Sequence, residues 1–159
     1  MRNRNPAPGK EYTCGLPPVT GENPAVLILG SSPSVMSLEK AEYYGNPRNQ
    51  FWQIMERIAG VPADRPYAER ISCLKKRRFA LWDVLATCER HASCDQSIRN
   101  PQANDIAGLL EDYPTIACIA LNGNVGATRW MRRLLPEVMS RTDIRIYSLP
   151  SRRVRRMHA

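Results

Sequence analysis

The stretch AVLILGSSPSVMSLEKAEYYGNPRNQFW, residues 25–52, marks the place where a buried strand hands over to a long loop and then to a helix. Its apolar run, 26–29, is short and unbroken, and Gly30-Ser31-Ser32-Pro33 close it at once. A strand with one wet face would alternate, so this run predicts a central parallel strand covered on both faces. Apolar side chains at Phe51, Trp52, Ile54, Met55 and Ile58 then recur at helical spacing, predicting a helix over 49–59 that Gly60 ends. The connection between them is about 18 residues long, a length that in compact domains marks either a functional or a disordered loop. Tyr43, Tyr44, the turn Gly45-Asn46-Pro47 and the Asn49-x-Phe-Trp ending argue for function. Ligands of open α/β sheets bind beyond the carboxyl ends of the strands, and two rings with a carboxamide are suited to holding a planar heterocycle.

Working outward, residues 1–24 carry Pro6, Pro8, Pro17, Pro18 and Pro24 and are expected to form a mostly irregular arm covering one edge of the domain. A short helix is expected around 67–74, then a strand over 79–85 that runs into a loop holding Asp95, Ser97 and Asn100. The cap-type residues 101–105 are expected to start a helix that stops before Pro114. Residues 115–121 are β-branched and apolar and predict a second buried strand; Asn122-Gly123-Asn124 break it before a helix over 125–135 with a basic face of Arg129, Arg132 and Arg133. Residues 144–149 alternate and predict the last strand. Strands joined by crossovers long enough for helices imply fold class α/β, a parallel sheet with helices on both faces. There is neither a GxGxxG nor a GxxxxGK[ST] motif, so no nucleotide cofactor is indicated and none is expected.

The chain of 159 residues with 43% hydrophobic content suits one domain with a real core, residues 25–151 between the arm and a basic tail at 152–159. No run approaches the roughly 18 to 20 apolar residues that cross a bilayer, and MRNRNPAPGKEY has no apolar signal-peptide centre, so a cytoplasmic protein without a membrane partner is expected. Five cysteines, an odd number with no CxxC spacing, fit reduced thiols. Cys88, His91 and Cys94 have no fourth ligand nearby, and no metal site is assigned. The net charge of +8 points to a polyanion, although the tail's Arg152, Arg153, Arg155 and Arg156 supply half of it. The run Lys75-Lys76-Arg77-Arg78 reads equally as a solvated face or, if it lies beside the ligand loop, as a grip on phosphates.

Taken together, G-S-S-P-S after the first strand, Y-Y-G-N-P-R-N-Q-F-W, L-W-D-V-L, the L-N-G before a helix and the final L-P-S resemble the uracil-DNA glycosylase superfamily. Within it the nearest branch is that of the hypoxanthine-DNA (DNA-deoxyinosine) glycosylases. The resemblance spans about residues 24–151. It implies a three-layer α/β/α sandwich on a four-stranded parallel sheet, and an enzyme, expected to be a monomer, that removes a deaminated base from DNA. Hypoxanthine is the expected base, with uracil or xanthine as alternatives. Where members carry an acid or amide in G-x-[DN]-P to position water, this chain has Ser32, and the resemblance passes the catalytic role to Asn49 of P-x-N-x-F-W. Tyr44 falls where relatives set a ring against the flipped base, and Asn46 stands where they often have His. Gly30, Ser31, Ser32, Pro33, Ser34, Asn122 and Gly123 fall in the substrate-binding segments, and Ser151, Lys75 and Lys76 are assigned to DNA contact.

The chemistry is consistent with those residues. Extruding a base costs a few kcal/mol, and a stacking ring returns about 1 to 3 kcal/mol. Glycosidic cleavage leaves an oxocarbenium-like sugar and an anionic base, so the site needs donors for negative charge and an acceptor for water. A carboxamide supplies both, and Asn49 with the backbone amides of 31–34 fits those roles. Plainer readings stand beside these. Asn49 caps the helix it precedes; Tyr43 and Tyr44 point opposite ways if extended, leaving one in the core; Phe51 and Trp52 pack; Asp83 satisfies buried amides; Asn122 and Gly123 form a strand-end turn. A rival class is a non-catalytic nucleic-acid or nucleotide-binding domain on the same fold, since Ser32 and the tail both depart from family chemistry. The tail itself reads either as a basic DNA-binding segment or as a frameshift product. With CGN arginine codons, the letters encoding 152–159, taken two bases on, spell Thr-Ser-Pro-Ala-Asn-Ala-Arg, the kind of segment with which relatives continue.

Overall fold

The computed structural model describes residues 11–90 and 97–150. Expectations that fall on His91, Cys94, Asp95, Ser151 and the tail 152–159 lie outside the described residues. In chain order the elements are β1 (Glu11–Cys14), β2 (Val26–Gly30), α1 (Val35–Lys40), α2 (Phe51–Ala59), α3 (Tyr67–Lys76), β3 (Phe79–Asp83), β4 (Leu85–Arg90) and β5 (Arg99–Ala103). After these come α4 (Ile106–Asp112), β6 (Cys118–Asn122), a π-helical turn (Gly123–Thr128), α5 (Arg129–Leu134), α6 (Pro136–Met139) and β7 (Arg145–Leu149). Among the described residues no helix is long and apolar enough to cross a membrane.

Four strands form a parallel sheet in the order β3-β2-β6-β7. The unbroken apolar run of β2 is central, as its pattern requires, and successive side chains enter opposite layers. Leu27 and Leu29 join the core under α4, α5 and α6 with Ile106, Leu110, Ile119, Leu121, Trp130 and Met131. Ile28 joins a second core with Leu81, Phe51, Trp52, Met55 and Leu74 beneath α2 and α3. Helices therefore cover both faces, the three-layer arrangement. Chain order runs from β2 outward to β3 and then returns to the other side of β2 with β6, so the switch point lies between β2 and β6, where open α/β sheets bind ligands.

The structure departs from the sequence reading in five places. Glu11–Cys14, inside the arm expected to be mostly irregular, is a strand paired antiparallel with β4, and Val19 exchanges backbone bonds of 2.8 and 2.9 Å with Leu81 along the open edge of β3. The long loop contains the short α1, capped by the Ser34 hydroxyl accepting from Ser37 N–H at 3.1 Å. Residue 85 starts a new strand instead of a loop: the chain bends at Val84, and β4 forms the middle of a three-stranded antiparallel sheet, β1-β4-β5. Residues 101–103, expected to begin a helix, belong to edge strand β5, a position that tolerates Pro101; α4 starts at Ile106 with the Asp105 carboxylate accepting from Gly108 N–H at 2.9 Å. The helix expected from 125 opens instead with the π turn, a form that recurs at functional sites.

Candidate active site

The carboxyl ends of the central strands meet at one level, with Gly30 beside Asp83 in register and Leu29 beside Leu121, one residue before Asn122. Tyr44 reaches back over this end from the β2–α2 loop, and Asn122 Nδ2 donates to its hydroxyl at 3.2 Å, closing a bridge across the switch point. A Cβ on Gly30 would lie 2.6 Å from the buried Asp83 carboxylate and 3.5 Å from the Tyr44 hydroxyl, so only glycine admits this close packing. Gly30, Tyr44, Asn122 and Asp83 thus form the floor of the candidate site. Gly123 follows with φ of 120°, backbone that favours glycine.

Local bonds explain how Tyr44 gets there. The buried Ser37 hydroxyl accepts from Gly45 N–H at 3.0 Å, while Lys40 Nζ donates to the Gly45 carbonyl at 2.9 Å. Held from both sides, the preceding Tyr44 adopts φ of 54°, rarely populated by non-glycine residues and a recurrent feature of functional sites. The two tyrosines divide their work. Tyr43 is 4% exposed; its hydroxyl donates to the Pro17 carbonyl at 2.8 Å, and its backbone is held by the Tyr67 hydroxyl and Trp52 Nε1. Tyr44 stacks on Phe51 at 3.8 Å between centroids. Burial, and then the Asp83 charge, raise the Tyr44 phenol well above its ordinary value, while the Asn122 bond opposes this. The phenol is neutral at physiological pH, and with Asn122 donating into its oxygen, its proton is directed elsewhere.

The segment 30–34 lies along β4. Leu85 N–H donates to the Ser31 carbonyl at 3.0 Å and Val84 N–H to that of Gly30 at 2.8 Å. Ser32 Oγ sits 3.9 Å from Cys88 Sγ, and the buried Arg90 guanidinium donates to the Pro33 carbonyl. Ser31 and Pro33 are buried; Ser32 and Ser34 are partly exposed.

Asn46 and Asn49 occupy the far limb of the loop. The Asn46 side chain accepts from Arg48 N–H at 3.0 Å, an Asx turn. The exposed Asn49 accepts from Phe51 N–H at 2.8 Å and so caps α2. That cap sits two residues from the ring that Tyr44 stacks upon. Lys75 and Lys76 are not brought to the site. They end α3 at the amino end of β3, and its five residues at ~3.3 Å each set them about 13 Å or more from the carboxyl end. With Asn23, Arg78 and Thr115 they line an open groove at the amino end of the sheet. Sequence reasoning left Asp83 as purely structural and found no role for Arg90. A lone carboxylate ending an apolar strand was a usable signal for Asp83; nothing local marked Arg90.

A profile of the uracil DNA glycosylase superfamily matches residues 17–158. The chain belongs to that superfamily. Two relatives named hypoxanthine DNA glycosylase align over 110 residues, 69% of this chain and 70% of each relative: one from Methanosarcina acetivorans at 41% identity, one from Methanosarcina barkeri at 36%. The solution structure of a Methanosarcina acetivorans protein described as a candidate uracil DNA glycosylase superposes with a TM-score of 0.75 at 35% identity, covering 89% of this chain and 84% of the other. As a member of the uracil DNA glycosylase superfamily, the chain is an enzyme of the DNA glycosylase class on an α/β/α fold.

Proposed function

We propose that this glycosylase acts as a monomer that excises hypoxanthine from DNA. The observation that carries the reading is its similarity to two proteins named for that activity, at 41% and 36% identity. The geometry is compatible. A flipped base stacks on the ring face of Tyr44 opposite Phe51. The Tyr44 hydroxyl accepts from Asn122, which fixes the ring on which the base stacks.

In the reaction the C1′–N bond breaks and its electron pair leaves with the base. Water forms the new C1′–O bond, and its released proton ends on the departed base. Asn49 orients that water through its carboxamide, and the peptide groups of 30–34 receive the charge growing on the base. A duplex carrying a single deoxyinosine, deoxyuridine or deoxyxanthosine, treated with alkali after incubation, gives strand cleavage at the damaged position, fastest for deoxyinosine. Intact strands with all three substrates overturn the proposal in favour of a binding domain.

A further inference from the structure

Arg90, the last residue of β4, is 2% exposed. Its guanidinium donates to the Pro33 carbonyl, and its Nε has no hydrogen-bond partner among the described residues. The ion pairs among those residues join Arg65 to Glu69 and Arg141 to Asp143, both at the surface; neither involves Arg90. At 2% exposure the guanidinium has almost no water around it to screen its charge. Its field falls on what it touches, the segment 30–34 at the candidate site. Hydrogen bonding to the Pro33 carbonyl also polarises the Pro33–Ser34 peptide, strengthening its N–H as a donor. Val84 restrains the same segment at Gly30 and β4 restrains it at Ser31 and Ser32, so the charge is delivered through a rigid wall.

We propose that Arg90 is a positioning residue whose buried charge, acting through the Pro33–Ser34 peptide, favours departure of the base as an anion. This rests on the reading of the protein as a glycosylase whose 30–34 segment borders the base. A charge that assists an anionic leaving group matters most when the base is a poor leaving group, and this separates it from a purely structural role. The test uses the full chain on duplexes containing deoxyuridine and 5-fluorodeoxyuridine, whose bases differ in acidity, with single-turnover rates and melting temperatures recorded for the parent, Arg90→Gln and Arg90→Lys.

Arg90→Gln retains a donor for Pro33 but no charge. It is expected to lose about a hundredfold on deoxyuridine and about tenfold or less on the fluorinated base, with KM within about threefold. Arg90→Lys, which keeps the charge, retains the parent's ratio between the two bases. Equal losses on both bases in Arg90→Gln overturn the proposal. If Arg90→Gln does not fold, Arg90→Lys decides alone: a ratio shifted tenfold from the parent's overturns the proposal and an unchanged one supports it. Failure of the parent on deoxyinosine as well as on both uracil substrates instead sinks the glycosylase reading on which the proposal stands.

Discussion

At Asn49 a single side chain carries two readings that act through different atoms. Its Oδ1 caps α2, and loss of such a cap costs about 1 kcal/mol, while catalysis needs the carboxamide as a whole. Asn49→Ser keeps a capping oxygen and removes the amide; Asn49→Ala removes both. Both variants are expected to lose at least about a hundredfold in deoxyinosine excision, the scale of an oxyanion donor, with duplex binding retained and only Asn49→Ala melting earlier. Excision within about threefold of the parent in Asn49→Ser leaves the residue a cap and nothing more. Tyr44→Ala is expected to cost more than Tyr44→Phe, since phenylalanine keeps the stack on Phe51 and loses only the Asn122 bond; equal losses transfer the role to the hydroxyl. The phenols of Tyr43 and Tyr44 are both raised by burial first and by Asp83 second. Above pH ~10 the unfolded chain releases those protons while the native state keeps them, so stability falls with rising pH by up to ~1.4 kcal/mol per group per unit. Denaturant titrations on either side of that pH check this: Tyr44→Phe should show a slope shallower by one group, and an unchanged slope refutes the assignment.

Among the elements, β2 and its contact with β3 hold the floor of the site at Gly30. A methyl there meets the Asp83 carboxylate at 2.6 Å, and Asp83 is 4% exposed, so it has no solvent to swing into. Gly30→Ala is therefore expected to destabilise by about 1 to 3 kcal/mol and to slow excision beyond what the stability loss explains, because Tyr44 shifts with Asp83. A melting temperature equal to the parent's removes the close packing from the account. The strands legible in the sequence were those buried on both faces: 26–29 and 115–121 have an apolar pattern because each contributes to two cores. The antiparallel sheet was not legible for the opposite reason. Arg99-Asn-Pro-Gln-Ala103 has no apolar periodicity, and its pairing comes from β4, which no local signal in that segment announces. Tyr44, Asn122 and Gly30 were legible as strand-end and loop residues, but their bridge across the switch point is a product of topology that spacing does not encode.

At the scale of the molecule, charge and chemistry are set at different ends of the sheet. The net charge of +8 invited the Lys75-Lys76 pair into the DNA interface, yet α3 runs so that its basic end meets the amino end of β3, at the other end of the sheet from Gly30, Asp83 and Asn122. The Arg78 guanidinium donates to the Asn23 carbonyl there at 2.8 Å, joining the arm to that same edge. Exposed charges more than a Debye length apart, about 8 Å at physiological salt, are largely screened. The double variant Lys75→Glu/Lys76→Glu should therefore excise deoxyinosine from a short duplex at a rate within about twofold of the parent at physiological salt. The salt slope of its DNA binding should stay unchanged too, because that slope falls by about 0.9 only for each phosphate the protein ceases to neutralise. A drop of about two in the slope with tenfold weaker binding would mean that DNA wraps to the amino end, and that both lysines belong to the interface after all.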